Sequence, residues 1–360
     1  MTGVPFLDLG RQAAASREEL EDAFATVLAG GRFVGGPALE RFEAEFAAYC
    51  GVKHAVGLNS GTDAIALALR AVDIGRGDEV ITAANTCVAT ITGIVAAGAT
   101  PVLADVDEET WTLDGESVEA AITPRTRALM PVHLYGQCAD LNALVEFGVP
   151  IVEDAAQAHG AEYRGQRPGG FADGAAYSFY PTKNLGALGD GGAVVTNDAE
   201  VAVRLRMLRS HGERAEARGV GVIVGVNSRL DEIQAEILTR RLARLDEGNA
   251  RRRELAARYL SELRGVTLPA EGEGRLHAWH LFVVLAEDRD AFRAKLRNRG
   301  VETLVHYPVP IHRQPAWTHL AGSVPLTVSE RLCERVVSLP LYPELTDQEL
   351  EHVIAAVNAR

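Results

Sequence analysis

The sequence predicts an α/β protein with a large domain built on a mostly parallel sheet and a smaller C-terminal α/β domain. Over the first two thirds of the chain, short apolar runs alternate with helical patterns. Strands separated by helices of about 10–15 residues are typical of βαβ units, in which helices cover both faces of a parallel sheet. After residue 227 the pattern changes to a long, arginine-rich helical stretch and then to a second strand–helix series.

The alternation can be followed element by element from residue 38. Residues 38–50 carry apolar side chains at 39, 42, 46 and 49, which is the spacing of one helix face. Helices are also predicted over 63–72, 88–97, 141–147 and 200–208. Strands are predicted over 54–58, 79–82, 100–106, 128–134, 149–153, 175–179 and 193–196.

The C-terminal third predicts the smaller domain. A helical stretch over 230–263 contains Gly248 and Asn249, and it is followed by a strand over 281–286, a helix over 290–299 and a strand over 302–305. Two late helices end near residue 357. We expect a large domain over 1–243, with an N-terminal arm over 1–15, and a small domain over 244–360.

Composition narrows the classes of function. The chain has 360 residues with 36 Lys and Arg against 49 Asp and Glu, a formal charge of −13. This charge repels a polyphosphate backbone, so we expect no nucleic-acid partner. We find no secretory signal and no apolar run near the ~20 residues that a membrane helix needs, and the four cysteines form no CxxC pair. These features predict a cytoplasmic protein without a membrane partner.

His277 and His280 lack a third ligand nearby, so we expect no metal site.

Residues 59–63 (NSGTD) lie between a predicted strand and a predicted helix. Such a turn directs free backbone N–H groups and the positive end of the helix outward, which suits a phosphate. The same residues are also those of an ordinary helix N-cap.

Asp154 ends an apolar strand pattern, where ligands bind in open α/β sheets. An Asp there can hold a metal, a ribose or a protonated ring nitrogen, or it can cap a helix. Gln157 follows three residues later and could reach the same ligand.

Lys183 stands among apolar, small and glycine residues just after another strand. A desolvated lysine has a lowered pKa and becomes a nucleophile toward carbonyls, whereas a lysine in a glycine-rich surface loop does not. Together, the phosphate turn, Asp154 and Lys183 supply what pyridoxal phosphate needs: a phosphate site, a carboxylate for its ring nitrogen and an amine for its aldehyde.

At this point the sequence resembles the DegT/DnrJ/EryC1/StrS family of pyridoxal-phosphate aminotransferases, which have fold type I. The resemblance rests on SGTDAIALAL (60–69), GDEVI (77–81), PVHLYGQ (131–137), EDAAQAHGA (153–161), SFYPTKNLGALGDGGAVVT (178–196), NSRLDEIQAE (227–236) and HYPVPIHRQPAW (306–317). It implies a seven-stranded, mostly parallel sheet flanked by helices in the large domain.

The resemblance also implies roles for individual residues. It implies that Lys183 forms a Schiff base with pyridoxal 5′-phosphate. It also implies that Asp154 pairs with the pyridine nitrogen of the cofactor and that Gln157 contacts the ring hydroxyl. Gly61, Thr62 and Ser178 are expected to hold the phosphate, and Asn227 is expected to reach the phosphate of a neighbouring subunit in a homodimer with shared active sites. During turnover the cofactor alternates with its pyridoxamine phosphate form.

By the same resemblance, the substrates are a nucleotide-linked keto-deoxysugar, expected to carry dTDP, and an amino-acid donor, usually glutamate. His306, Tyr307 and His312 lie in a proline-rich loop whose donors could contact the sugar or diphosphate, or simply pack. This loop is similar to that of relatives that aminate C3 of a deoxysugar, so we favour C3 over C4.

The family commonly has an aromatic residue, which stacks on the cofactor, where this chain has Cys87. We interpret Cys87 as a small buried residue rather than a catalytic one. Three other functions remain possible. A dehydratase of the family would carry His in place of Lys183. A non-catalytic sensor with this fold and an aminotransferase for a free keto-cyclitol would share the motifs.

Overall fold

The computed structural model describes residues 3–214 and 216–359. Met1 and Thr2, where the predicted N-terminal arm begins, and Arg360, where the predicted small domain ends, lie outside these ranges. The strands are β1 (His54–Leu58), β2 (Glu79–Ala83), β3 (Thr100–Ala104), β4 (Thr126–Met130), β5 (Val152–Asp154), β6 (Glu162–Tyr163), β7 (Gly174–Ser178), β8 (Gly192–Thr196), β9 (Glu213–Arg214), β10 (Ala217–Gly221), β11 (Arg275–Leu276), β12 (Phe282–Leu285) and β13 (Val336–Leu339).

The α-helices are α1 (Leu9–Ala15), α2 (Arg17–Gly30), α3 (Pro37–Cys50), α4 (Gly61–Ala71), α5 (Val88–Ala97), α6 (Gly115–Ala121), α7 (Leu141–Val145), α8 (Ala199–Leu208), α9 (Glu232–Leu242), α10 (Leu245–Glu262), α11 (Arg289–Asn298), α12 (Thr327–Arg335) and α13 (Asp347–Asn358). Short 3₁₀ helices cover Leu134–Gly136, Ile311–Arg313 and Thr318–Leu320.

The central sheet has the strand order β1–β8–β7–β5–β4–β2–β3. Ladders join the first four strands and the last three, and parallel bridges from Leu129 to Ile151 and from Val132 to Asp154 connect the two groups across β4 and β5. Only β8 runs against its neighbours in this sheet. The mostly parallel sheet that the sequence predicts is therefore confirmed.

Both faces of this sheet are buried, because successive side chains of a strand point to opposite faces. In β1, Val56 packs into a core with α4, α5 and α8, whereas its neighbour Ala55 packs into a second core that includes α3 and α9. In β8, Val194 packs into the first of these cores and Val195 into the second. With helices on both faces, the ends of the strands are the part of the sheet where a ligand can bind.

Three sequence predictions in the C-terminal third are wrong in detail. Residues 302–305 form no strand, since only Leu304 pairs there, with Ser338, and the carbonyl of Thr303 accepts instead from Arg293. The single helical stretch predicted over 230–263 is instead two helices, since it breaks into α9 and α10 at Ala243 and Arg244, and Gly248 lies within α10. A further strand, β13, lies between the two late helices, where none is predicted, and pairs with β12.

The C-terminal elements have a core of their own, formed by α10, α11, β12, β13 and α13. Val4 from the N-terminal segment packs into this core and pairs with Val301. The division into domains at residue 243 stays a prediction. No helix within residues 3–214 and 216–359 has the length and apolar character to cross a membrane.

Candidate active site

The predicted site residues gather at the carboxyl ends of β1, β5 and β7. Asp154 is the last residue of β5 and Ser178 the last of β7, and Gly61 begins α4 after the short turn that leaves β1. These three strands run parallel to one another, so their ends meet at one edge of the sheet. Ligands bind at this edge in open α/β sheets.

The start of α4 forms a tight backbone cradle. The Ser60 hydroxyl caps the helix by accepting a hydrogen bond from the backbone N–H of Asp63 at 3.1 Å. Gly61 and Thr62 follow in the first turn, where backbone N–H groups have no partner within the helix. A Cβ on Gly61 would lie 2.5 Å from the Cβ of Ser178, so only glycine lets the two segments approach this closely. The cradle can bind a phosphate.

Asp154 is 4% exposed, and each of its carboxylate oxygens accepts one hydrogen bond. Thr90 Oγ1 donates to Oδ2 at 2.8 Å, and the backbone N–H of Ala156 donates to Oδ1 at 3.1 Å. Burial raises the pKa of Asp154, while these two hydrogen bonds and the charge of Lys183 act in the opposite direction. A cation or protonated nitrogen beside this carboxylate would keep it ionised.

Lys183 lies in a turn held from several sides. Gly186 allows the turn, because a Cβ there would lie 2.5 Å from the carbonyl oxygen of Pro181, and Arg241 donates to the carbonyl of Gly186 at 2.6 Å. Burial lowers the pKa of the Lys183 amine, and the nearby Asp154 raises it by less. Lys183 as a whole is half-buried, so the desolvated lysine that the sequence predicts stays a prediction. A neutral amine is the form that attacks carbonyls.

Gln157 connects the site to the proline-rich loop. Its Oε1 accepts from the backbone N–H of Tyr135 at 2.6 Å, and its Nε2 donates to the hydroxyl of Tyr307 at 3.1 Å. The Cys87 thiol also lies beside this hydroxyl, whose pKa is raised well above its ordinary value, chiefly by burial. Cys87, at the start of α5, is half-buried. The sequence prediction of a buried cysteine is therefore wrong.

Three predicted residues have their described contacts elsewhere. The His306 imidazole pairs with the Ser338 hydroxyl at 2.8 Å, and His312 Nε2 lies 2.7 Å from a carboxylate oxygen of Glu330. Asn227 is exposed, and its backbone pairs with Ser210. The roles assigned to these residues, like those of the others, stay predictions.

Two groups of residues around the site are absent from the sequence predictions. The buried hydroxyls of Thr86 and Thr90 lie 2.9 Å apart next to Asp154. Asn184, the residue after Lys183, is held by Asn249 and Ala278 at 2.8 and 2.9 Å and by His280 at 3.0 Å. Two hydroxyls four residues apart at the start of a helix that follows a parallel strand could have indicated the first group. The second depends on contacts between distant segments, for which the sequence has no signal.

These residues fit pyridoxal phosphate. The cradle at Gly61 and Ser178 suits its phosphate, and the buried carboxylate of Asp154 suits a protonated ring nitrogen. The charges of Lys183 and Asp154 interact, so the amine and the carboxylate belong to the same site.

Comparison with known proteins agrees with this fit. The model of the DegT/DnrJ/EryC1/StrS aminotransferase family matches residues 14–358. A dTDP-3-amino-3,4,6-trideoxy-alpha-D-glucose transaminase of Streptomyces venezuelae is 53% identical, covering 98% of this chain and 95% of that protein. The erythromycin biosynthesis sensory transduction protein EryC1 of Saccharopolyspora erythraea is 47% identical, and a dTDP-3-amino-3,6-dideoxy-alpha-D-galactopyranose transaminase of Aneurinibacillus thermoaerophilus is 45% identical, with 99% of each chain covered in both cases.

Solved structures give the same result. S. venezuelae DesV, solved in complex with a ketimine intermediate, superposes with a TM-score of 0.96 at 52% identity, covering 99% of this chain and 98% of that one. NtdA from Bacillus subtilis, solved with its cofactor PMP, has a TM-score of 0.93 at 33% identity, covering 99% and 85%. The chain therefore belongs to the DegT/DnrJ/EryC1/StrS aminotransferase family, whose enzymes use pyridoxal 5′-phosphate.

Proposed function

We propose that this enzyme transfers an amino group from glutamate to the C3 ketone of a dTDP-linked deoxysugar. The observation that carries the proposal is the pair formed by Lys183, whose amine has a lowered pKa, and the buried carboxylate of Asp154. The names of the dTDP-3-aminosugar transaminases, similar over nearly the whole chain, support the substrate class and favour C3 over C4.

Lys183 is the proposed catalytic residue. Bound at the site, pyridoxal phosphate supplies an aldehyde that can carry the amino group and a ring that can take up negative charge. The neutral amine of Lys183 takes the proton from the Cα of the donor amino acid. The ammonium that forms holds this proton. In the second half-reaction it donates a proton to C3 of the sugar, which leaves the amine neutral again. Because burial lowers the pKa of this amine, a larger share of it is neutral and able to accept a proton at a given pH.

The remaining contacts hold the cofactor. The backbone at Gly61 and Thr62 and the hydroxyl of Ser178 bind the phosphate, and Asp154 keeps the ring nitrogen protonated. Gln157, already fixed by the backbone of Tyr135, presents its amide to the ring hydroxyl.

We assign Tyr307 and its loop to the sugar substrate. The Tyr307 hydroxyl lies 3.1 Å from Gln157 Nε2 and beside Cys87, so it reaches the site from the C-terminal part of the chain. His306 and His312 belong to the same loop. Their imidazoles contact Ser338 and Glu330, so we expect the two histidines to affect substrate binding by fixing the shape of the loop.

The active unit is proposed to be a homodimer with shared sites. Large apolar side chains are exposed on α2 and on the segment after β10, for instance Leu28 at 66% and Val224 at 84%. Contiguous exposed apolar patches are typical of protein interfaces, and we expect these side chains to belong to one. Asn227 follows the second of these segments, which supports its expected contact with the phosphate of the neighbouring subunit.

The substrate proposal is tested with purified enzyme, glutamate and a panel of dTDP- and UDP-linked 3-keto and 4-keto sugars, with a free keto-cyclitol as comparison. We expect an aminated product, detected by mass, from a dTDP-3-keto-deoxysugar together with 2-oxoglutarate. Lys183→Ala removes the amine and Lys183→Arg keeps only a charge, so neither variant should give product. An aminated product from the free keto-cyclitol alone would contradict the proposed nucleotide-sugar substrate and indicate a cyclitol substrate instead. Cofactor binding without 2-oxoglutarate from any acceptor would favour a sensor.

Subunit mixing tests the shared site. Lys183→Ala and Asn227→Asp proteins are each expected to be inactive, the latter because a carboxylate repels the phosphate. If Asn227 serves its partner, the mixed dimer contains one site with both native residues, and activity returns after the two variants are co-refolded or co-expressed. If Asn227 serves its own subunit, every site in the mixture lacks one residue and activity does not return.

A further inference from the structure

We propose that Thr86 and Thr90 form a two-hydroxyl relay that holds the Asp154 carboxylate oriented and ionised toward the ring nitrogen of the cofactor. Both are positioning residues that act through Asp154. The inference rests on the proposed function of Asp154, and it explains how a carboxylate with so little exposure can serve as a charged ligand.

The geometry fixes the direction of the relay. A threonine hydroxyl has a single proton, and Thr90 gives this proton to Asp154 Oδ2 at 2.8 Å. The 2.9 Å contact between the two threonines must therefore be a hydrogen bond donated by Thr86 to Thr90. Hydrogen bonds in such a chain polarise one another, so the Thr86 hydroxyl strengthens the bond that Thr90 makes.

Burial makes the relay necessary. Thr86 is 2% exposed, Thr90 is fully buried and Asp154 is 4% exposed, so water does not solvate this carboxylate well. Desolvation favours the neutral form of an acid, and hydrogen bonds to the ionised form oppose this effect. The relay supplies one of the two donors that the described residues offer to the carboxylate, and the Ala156 N–H supplies the other.

The relay also fixes the orientation of the carboxylate. Thr90 lies in the first turn of α5, which begins directly after Cys87, and Ala156 lies two residues beyond Asp154 on the other side. One donor on each oxygen prevents the carboxylate from rotating. The remaining lone pairs stay available for a ring N–H.

The test compares two ligands on full-length protein freed of cofactor. Pyridoxamine phosphate has a basic ring nitrogen, and its analogue with carbon in place of that nitrogen does not. We expect Thr90→Val, which keeps the shape of the side chain and removes the hydroxyl, to bind pyridoxamine phosphate about tenfold more weakly. The same variant should bind the carbon analogue as the wild type does. Thr90→Ser restores the hydroxyl and should restore the affinity.

Each outcome decides one point. An equal loss for both ligands would mean that Thr90 only packs, and no loss for either would mean that the hydroxyl does not support Asp154; both results overturn the relay. If Thr90→Val does not fold, Thr86→Val provides the same comparison, with a smaller but equally selective loss expected. Failure of the wild type to bind either ligand would instead overturn the proposed function.

Discussion

The imidazole of His133 and the carboxylate of Glu153 form a fully buried pair, with Nε2 and Oε2 2.6 Å apart, next to the strand end that carries Asp154. The backbone N–H of Ala139 donates to His133 Nδ1 at 3.1 Å, so the proton of a neutral ring must lie on Nε2 and point to Glu153. The other oxygen of Glu153 accepts from the backbone N–H of Gly169 at 2.6 Å. Both nitrogens of His133 and both oxygens of Glu153 therefore have hydrogen-bond partners.

This match predicts that Glu153→Gln is destabilising although the side chains have the same shape. A carboxylate accepts at both oxygens, whereas an amide has one acceptor and one donor group. The amide would face either the N–H of His133 or that of Gly169 with its own N–H, leaving buried donors unpaired. We expect a loss of about 1–3 kcal/mol in the free energy of unfolding, measured by urea denaturation.

His133→Ala should cost more, about 3–5 kcal/mol, since it leaves a buried carboxylate without its partner. Unfolding curves for Glu153→Gln and the wild type that superimpose would contradict the assigned hydrogen bonds.

A second prediction concerns the cradle at the start of α4. In Gly61→Ala, the new Cβ would lie 2.5 Å from the Cβ and 3.0 Å from the Oγ of Ser178, so α4 or β7 must shift. We expect the affinity for pyridoxamine phosphate to fall at least tenfold, because the start of α4 and the hydroxyl of Ser178 would no longer both reach the same phosphate. Gly322→Ala is the matched control, because a Cβ on Gly322 would have no atom within 4 Å and the φ of this residue is not positive.

The control should bind pyridoxamine phosphate as the wild type does. Isothermal titration of both variants gives the comparison, and unchanged affinity in Gly61→Ala would show that the close approach is not needed for binding.

The sequence predicted the sheet edge well and its surroundings poorly, for physical reasons. Strand ends and helix starts have local signals, so the apolar run before Asp154 and the Ser-Gly-Thr turn before α4 could be located from their neighbours alone. The contact of Thr90 with Asp154 joins residues 64 apart in the sequence, and that of Gln157 with Tyr307 joins residues 150 apart. Such pairs depend on how strands are ordered and on how the C-terminal segments pack, which local patterns do not contain.

A third prediction concerns acid. Burial lowers the pKa of His159 and His277 to about 3 and that of His306 to about 4, from 6.5. Between these values and 6.5, the unfolded chain binds protons that the folded chain does not, so stability falls as the pH falls below 6.5. Each such histidine can contribute up to about 1.4 kcal/mol per pH unit.

Urea denaturation at several pH values between 7.5 and 5 measures this slope. His159 packs against the rings of Tyr177 and Phe179, so His159→Phe removes a titrating group while keeping an aromatic ring in place. The variant should have a shallower dependence on pH than the wild type. An equal slope in the two proteins would mean that His159 titrates normally in the folded state.

The last prediction concerns the contact between α1 and α13. Arg11 donates to both carboxylate oxygens of Glu349, at 2.8 and 2.9 Å, and this hydrogen bonding is the main reason that the pKa of Glu349 falls from 4.5 to about 2. Since the folded-state pKa is the lower one, the stabilisation is complete above pH 4.5 and is lost as the pH falls toward 2. Arg11→Met should therefore lower the free energy of unfolding at pH 7 by about 1 kcal/mol, given the partial exposure of the pair.

The difference between Arg11→Met and the wild type should become smaller at each step as the pH falls from 4.5 toward 2. The parts due to the hydrogen bond from Arg11 to the carbonyl of Glu344 and to its 3.5 Å contact with Asp8 would remain. Arg17→Met is the control, because Arg17 pairs with Glu21 at 3.3 Å with both side chains largely exposed, and such a pair contributes little. Urea denaturation of the three proteins at pH 7, 4.5 and 3 measures these differences. A loss in Arg11→Met that stays constant over this range would mean that the arginine stabilises the protein through packing and not through the charge of Glu349.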